Sequence, residues 1–211
     1  MEDSERAAQL ARANKLTVGL HLNLSEPFTA QNVPPALVQY HRQVARFLKA
    51  GRYALLLYNP WLRQAFRQVY EAQANEFQRL YGIPPTHIDG HQHLHLCANV
   101  LLGNVIPRRQ KVRKNLSFWP GERNILNRTL RKLSDRILRY RYCSTDYFFC
   151  LSNLLQDGGF ERMAGLARNA LVELMVHPAR AHERSWLLSE RYPEAFHGIQ
   201  KGTYANFRTR N

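Results

Sequence analysis

The sequence predicts an α/β fold with a largely parallel sheet. Short alternating or apolar runs suited to strands are separated by longer stretches with helical spacing. Three histidines, His21, His91 and His177, fall at or just past the ends of expected strands. Parallel α/β folds gather their chemistry at those ends. Proline and glycine mark no linker, so residues 1–211 are expected to form one domain.

Residues 3–14 suit an amphipathic helix with Ala7, Leu10 and Ala11 on its apolar side. Residues 16–24 alternate. Val18, Leu20, Leu22 and Leu24 take one face, and Thr17, Gly19, His21 and Asn23 take the other, as in a strand with a polar functional face. Pro27 to Pro35 is punctuated like a loop. The spacing of Leu62, Phe66, Val69, Phe77 and Leu80 predicts a long helix over 61–81, with Gly82 as its stop. Pro84 and Pro85 lead into a strand over Thr86–Asp89. Residues 98–106 read as helical, and Lys111–Arg113 as the start of a strand. The stretch 123–140 reads as a helix with Leu126, Leu130, Leu133, Ile137 and Leu138 on one side. A strand over Tyr147–Leu151, a helix over 160–169 and a strand over Ala170–Val176 follow, the last running into His177-Pro178. A short helix is expected near Trp186–Arg191.

The segment His87-Ile-Asp-Gly-His-Gln-His-Leu-His95 carries the strongest chemical signal. If it is extended throughout, His87, Asp89, His91, His93 and His95 share one face. An apolar core does not accept four imidazoles and a carboxylate without hydrogen bonds or a ligand. Imidazole with carboxylate suits zinc and other divalent transition metals. The plain alternative is a polar loop in which histidines happen to fall close together.

Composition sets wider bounds. The apolar fraction (45%) and charged fraction (22%) are those of an ordinary folded domain. Thirty Lys plus Arg oppose sixteen Asp plus Glu, for a net charge of +14. That balance favours anionic partners such as nucleic acid, acidic lipid or anionic glycan. Much of it lies in Arg108–Lys114 and on the 123–140 helix, where Arg128, Arg131, Lys132, Arg136 and Arg139 oppose the leucines. A solvated helix face explains them without function. Contact with an anionic glycan or a peripheral membrane contact is the alternative, and no recognised nucleic-acid motif supports specific nucleic-acid binding. Cys97, Cys143 and Cys150 show no paired spacing, which argues against a disulfide scaffold and fits a cytoplasmic location. Cys97, close to His95, reads better as a small buried apolar residue than as a ligand. The first residues carry no apolar leader, and the longest apolar run, Tyr53–Tyr58, is too short to cross a bilayer.

Three segments together resemble the YdjC-like carbohydrate deacetylases, the family of chitooligosaccharide deacetylase and the hopanoid-associated deacetylases. They are Val18-Gly-Leu-His-Leu-Asn-Leu-Ser-Glu26, Pro85-Thr-His-Ile-Asp-Gly-His-Gln-His-Leu-His95 and Glu173-Leu-Met-Val-His-Pro178. The resemblance runs from about Ala11 to near the C-terminus and implies a TIM-like (β/α) barrel. It also implies removal of N-acetyl groups from amino sugars, in an oligosaccharide or a glycolipid, with a divalent metal (Mg or Zn). Two metal-ligand histidines of the family fall on His21 and His91. The family's Asn-Ala-Asp-Asp-Phe-Gly motif, on its first strand, supplies a metal-binding carboxylate and a catalytic one. No Asp-Asp pair occurs in this chain. The chain begins roughly forty residues into the family pattern, by boundaries good to a few residues. The expected fold is therefore an incomplete barrel lacking the first strand-helix-strand.

On that reading His21 and His91 hold the metal, and open positions remain for water and substrate oxygen. Asp89 is either the third ligand or the partner that orients a histidine. His177 is the expected general acid for the leaving amine, with a hydrogen-bonded strand-end histidine as the bland alternative. His93 and His95 are expected to contact sugar or to orient the loop. Asn23 and Glu26 are expected to shape the sugar pocket or to cap their own loop. Asp146 and Tyr147 also match a family segment and are expected to line the cleft. The competing functions are an inactive fragment that keeps a sugar- or metal-binding pocket, and a basic polyanion-binding protein.

Overall fold

The computed structural model describes residues 3–51, 53–119, 121–122, 125–156 and 158–207, apart from the side chain of Leu126. Helix α1 (Ser4–Ala13) buries Ala8 and Ala11. Leu10 is left exposed, so the apolar stripe is narrower and differently phased than its spacing suggests. Leu20 and Leu22 go inward and His21 outward in strand β1 (Leu20–Leu22). The expected 16–24 strand shortens because the chain turns at once after it. The Asn23 side chain accepts from the backbone N–H groups of Ser25 and Glu26, a local bond that competes with strand pairing. Helix α2 (Pro35–Lys49), which the sequence reading left unassigned, starts on a proline whose fixed φ suits a first helical position.

Helix α3 (Arg63–Tyr81) matches expectation closely. Phe66, Val69, Phe77 and Leu80 are buried, Leu62 packs beside them, and Gly82 ends the helix at φ 73°. Strand β2 (Ile88–Gly90) follows, then helix α4 (Ala98–Leu102), shorter than the expected 98–106. Helix α5 (Ile125–Arg141) keeps Leu138 fully buried but leaves Leu133 exposed, so only part of the leucine row packs. Arg128, Lys132, Arg136 and Arg139 face solvent. Strand β3 (Tyr147–Cys150), helices α6 (Leu151–Gln156) and α7 (Phe160–Ala167) and strand β4 (Val172–Met175) come next. In place of one helix near 186–191 there are two, α8 (Ala181–Leu187) and α9 (Arg191–Ala195).

The strands are parallel. β1 pairs with β2 (Leu20 with Ile88, Leu22 with Gly90), and β3 with β4 (Tyr147 with Val172, Cys150 with Met175). Between them, Val112 bridges to Ile88 and Lys111 to Cys143, both in parallel. The N–H of Ser117 also reaches the carbonyl of Phe148 at 2.7 Å. Neighbours in space are therefore neighbours in sequence, and all carboxyl ends lie on one rim. Among the described residues the named strands form two two-stranded sheets, β1-β2 and β3-β4, linked by these isolated bridges and backbone contacts, with no closed barrel.

One apolar core lies around Leu22, Leu24, Phe66, Val69, Ile88, Val112 and Leu138, and a second around Phe149, Leu151, Phe160 and Met163. Cys97 is buried in the first, and burial pushes its thiol up to about 12, as suits a small core residue. No helix among the described residues is long and apolar enough to cross a membrane.

Candidate active site

The β1–β2 register sets His21 beside Asp89. The Nδ1–H of His21 donates to Oδ1 of Asp89 at 3.0 Å. This bond fixes the tautomer and leaves Nε2 with its lone pair for a ligand. The second oxygen of Asp89 accepts from Arg113 NH1. The Nε–H of Arg113 donates to Oε1 of Glu173 at 2.7 Å, and the other Glu173 oxygen accepts from the Tyr204 hydroxyl. Arg113 also lies 5.0 Å from the centre of the Phe148 ring. A continuous polar chain, His21–Asp89–Arg113–Glu173–Tyr204, thus crosses the parallel array.

Electrostatics differ between the two carboxyls. Burial would raise Asp89, but the hydrogen bond from His21 and the charge of Arg113 hold it below the usual carboxylate range. At Glu173 burial wins and its carboxyl is raised, although Arg113 and Tyr204 pull the other way. Burial would lower Arg113; the two carboxylates hold it above its ordinary value.

The histidine segment does not stay extended. It leaves the strand after Gly90 and coils as a 3-10 turn over His91–Leu96, with Gln92 at φ 51° and His93 at φ 60°. The single histidine face expected for residues 87–95 is therefore not formed. Left-handed backbone at non-glycine residues costs roughly 1–2 kcal/mol each. Burial of the consecutive side chains Leu94 and His95, which no strand facing one core provides, accompanies it. Gly90 makes the turn feasible, since a Cβ there would meet the His95 Cβ and Nδ1 at 2.9 Å.

His91 comes to rest beside His21, with ring centres 5.9 Å apart and planes at 81°. A metal bound to imidazole at 2.0–2.1 Å sits about 3.2 Å from the ring centre, so two rings on one ion lie at most about 6.5 Å apart. The pair satisfies that limit. Among the described residues, no carboxylate, cysteine or further histidine joins the two as a set of three ligand atoms within 4.8 Å of one another. Both oxygens of Asp89 are committed, to His21 and to Arg113.

The other sequence-derived residues spread out. His95 is fully buried, Nε2 lies 3.0 Å from the carbonyl of Arg113, and burial pushes its ring down to about 4. His93 packs edge-on to Phe148, its ring centre 5.8 Å away, and burial lowers it too. His87 stacks on Tyr204 at 4.0 Å and is pushed by burial to about 4. Asn23 commits its amide to its own loop, donating to the carbonyl of Glu26 at 2.6 Å. Gln73 clamps the Asn23 backbone with two bonds of 2.8 Å. Glu26 pairs with Lys49 at 3.4 Å, and that bond holds its carboxyl low, with a smaller contribution from His91. Asp146 accepts from the N–H of Leu171 at 2.9 Å at the start of the β3–β4 pair. Tyr147 stacks beside Phe149, 6.2 Å between ring centres.

His177 lies beyond β4 and not beside His21. Its backbone N–H donates to Glu183, and Nδ1 stands 3.4 Å from Oε1 of that residue. Cys150, at the end of β3, completes this second group. Sequence reasoning gave no site role to Arg113, Glu173, Tyr204, Cys150 or Glu183. One signal was available: a glutamate inside the apolar run Leu171-Val-Glu-Leu-Met-Val176 needs a buried partner.

A family model described as YdjC-like protein matches residues 1–204. A carbohydrate deacetylase of Mus musculus is 41% identical over 102 residues, covering 46% of this chain and 32% of the relative. A carbohydrate deacetylase of Homo sapiens is 36% identical over 107 residues, covering 46% of this chain and 30% of the relative. A chitooligosaccharide deacetylase of Yersinia pestis (strain Pestoides F) is 33% identical over 103 residues, covering 46% of this chain and 37% of the relative. The aligned part of the chain thus spans about a third of the length of these curated relatives.

Proposed function

The chain belongs to the YdjC-like protein family, and from that premise we propose that it carries the histidine part of a metal-dependent N-deacetylase acting on an amino sugar in an oligosaccharide or glycolipid. The observation that carries this reading is the His21–Asp89 dyad standing beside His91 at the carboxyl ends of β1 and β2. The relatives named above as carbohydrate and chitooligosaccharide deacetylases support the reaction class.

His21 and His91 would hold a divalent cation. Imidazole donors favour zinc-like ions, whereas magnesium prefers oxygen. Held there, such an ion would supply Lewis-acid polarisation of a substrate carbonyl and a lowered pKa for water. Asp89 acts as the orienting partner of His21, with its other oxygen on Arg113. Arg113 holds Asp89 in its charged form, and Glu173 holds Arg113. His177, on the same rim, supplies the proton for the leaving amine. Asn23 and Glu26 shape the loop after His21, and buried His95 and half-buried His93 anchor the turn that carries His91.

The short parallel sheets are those of a mixed α/β fold, and this reading takes them as part of the TIM-like barrel that the family resemblance implies.

Acetate release from N-acetylated chitooligosaccharides tests this. The expected result is release that stops with chelator and in His91→Ala. Cation or sugar binding without acetate from the 211-residue chain would instead favour a binding fragment.

A further inference from the structure

We propose a second cation site, selective for a thiophilic ion such as zinc, built from Cys150, His177 and Glu183. One ligand atom from each lies within 4.8 Å of the other two. They come from three elements: the end of β3, the segment after β4 and the first turn of α8. Adjacent parallel strands ending on one rim bring the first two together.

Two observations beyond proximity support a ligand here. Nδ1 of His177 is buried and makes no hydrogen bond of good geometry, its contact with the Glu183 carboxylate being a long one at 3.4 Å. An orphaned buried nitrogen is costly unless something binds it. Glu183 is fully buried and already oriented: the Ser152 hydroxyl and the His177 N–H both donate to it. Ser152 is itself fixed by His182 Nε2 and Arg180 NH1, each at 2.9 Å. Hydrogen bonds of this kind hold ligating carboxylates in place around metals. Burial opposes charge on Glu183, yet these donors keep its carboxyl below the ordinary range.

Arg180 NH1 stands 3.5 Å from Oε1 of Glu183 with half of its side chain in solvent, so an arriving cation displaces it outward. Thiolate, imidazole and carboxylate together select zinc over magnesium or calcium, and three protein ligands leave a fourth position for water. Binding releases the Cys150 thiol proton to solvent. Ion capture does not depend on the deacetylase reading. A consequence that does rest on it is that metal on Nδ1 of His177 removes its proton-donor role, so excess zinc inhibits.

Cobalt(II) titration of the reduced, metal-free full chain tests the site. The expected result is one thiolate-to-cobalt charge-transfer band, displaced by zinc, lost in Cys150→Ser and retained in Cys143→Ser and His91→Ala. Acetate release depends on His91 and this band does not, so the two readings fail separately. No band in folded protein, or one that survives Cys150→Ser, overturns the site. If Cys150→Ser does not fold, Glu183→Gln decides, since its amide oxygen can still accept from the His177 N–H while its NH2 donates to the Ser152 hydroxyl oxygen. Cobalt affinity is then expected to fall about tenfold or more, and unchanged affinity overturns the proposal.

Discussion

Replacing Arg113 by methionine keeps most of the side-chain bulk and removes the guanidinium that neutralises Asp89 and Glu173. The side chains of Arg113, Asp89 and Glu173 are 15%, 11% and 10% exposed, so water does not screen the loss. Taking one partner from a buried ion pair costs about 3–5 kcal/mol. His21 stays on Asp89 and Tyr204 on Glu173, which favours the low end, about 3 kcal/mol. Urea unfolding at pH 7, followed by tryptophan fluorescence, should show the midpoint falling by about 1 M or more. The gap should depend on pH. Without Arg113 both carboxyls bind protons at higher pH in the folded state, so the variant loses less stability in acid than the parent does. The difference is therefore largest near neutrality and narrows as pH falls through the carboxylate range. A gap below about 1 kcal/mol at pH 7, the size of an exposed pair, or one that widens in acid, would refute the reasoning.

Three further outcomes follow from neighbouring contacts. His95 has a folded pKa near 4 against an ordinary 6.5, so the unfolded chain binds a proton that the folded chain refuses between those values. Stability from this group is present above about pH 6.5 and drains as pH falls toward 4; His95→Gln should flatten that part of the acid-unfolding profile. At Gly19 a Cβ would meet the His87 ring at 2.3 Å, so Gly19→Ala should push His87 off Tyr204 and destabilise the chain by about 1–3 kcal/mol in thermal or urea unfolding. Asp89→Asn keeps a hydrogen-bonding partner for His21 but loses the charge; cation affinity at the His21–His91 pair should drop about 10–100-fold by chelator competition.

Residues close in sequence were readable and distant partners were not. The α3 stripe and the Gly82 stop follow from helical spacing; β1, β3 and β4 fall within runs marked by alternation or apolar clustering, and β2 overlaps the expected Thr86–Asp89 strand and ends one residue beyond it. The histidine segment misled because alternating His, Gln and Leu after Gly90 fit a strand as well as a 3-10 turn. What decided was the burial of Leu94 and His95 side by side, a tertiary fact. In α5, spacing promised a full leucine stripe, but among its described side chains Leu138 is fully buried while Leu133 is exposed. His21 and His91 were named as a pair and lie as neighbours. Arg113 was legible only as one residue of a basic run, because its carboxylate partners stand 24 and 60 residues away in sequence. Cys150 likewise carries no local pattern, and the parallel strand ends bring it to His177, while Glu183 returns to His177 from the first turn of α8.

The most direct measurement is cation affinity of the full chain in a Cys150→Ser background, which silences the second site, with His21 and His91 replaced by alanine singly and together. If the two rings share one ion, each single variant loses most of the affinity and the double variant loses little more. Binding that survives both replacements, or losses that add as for independent sites, would contradict a shared cation between His21 and His91.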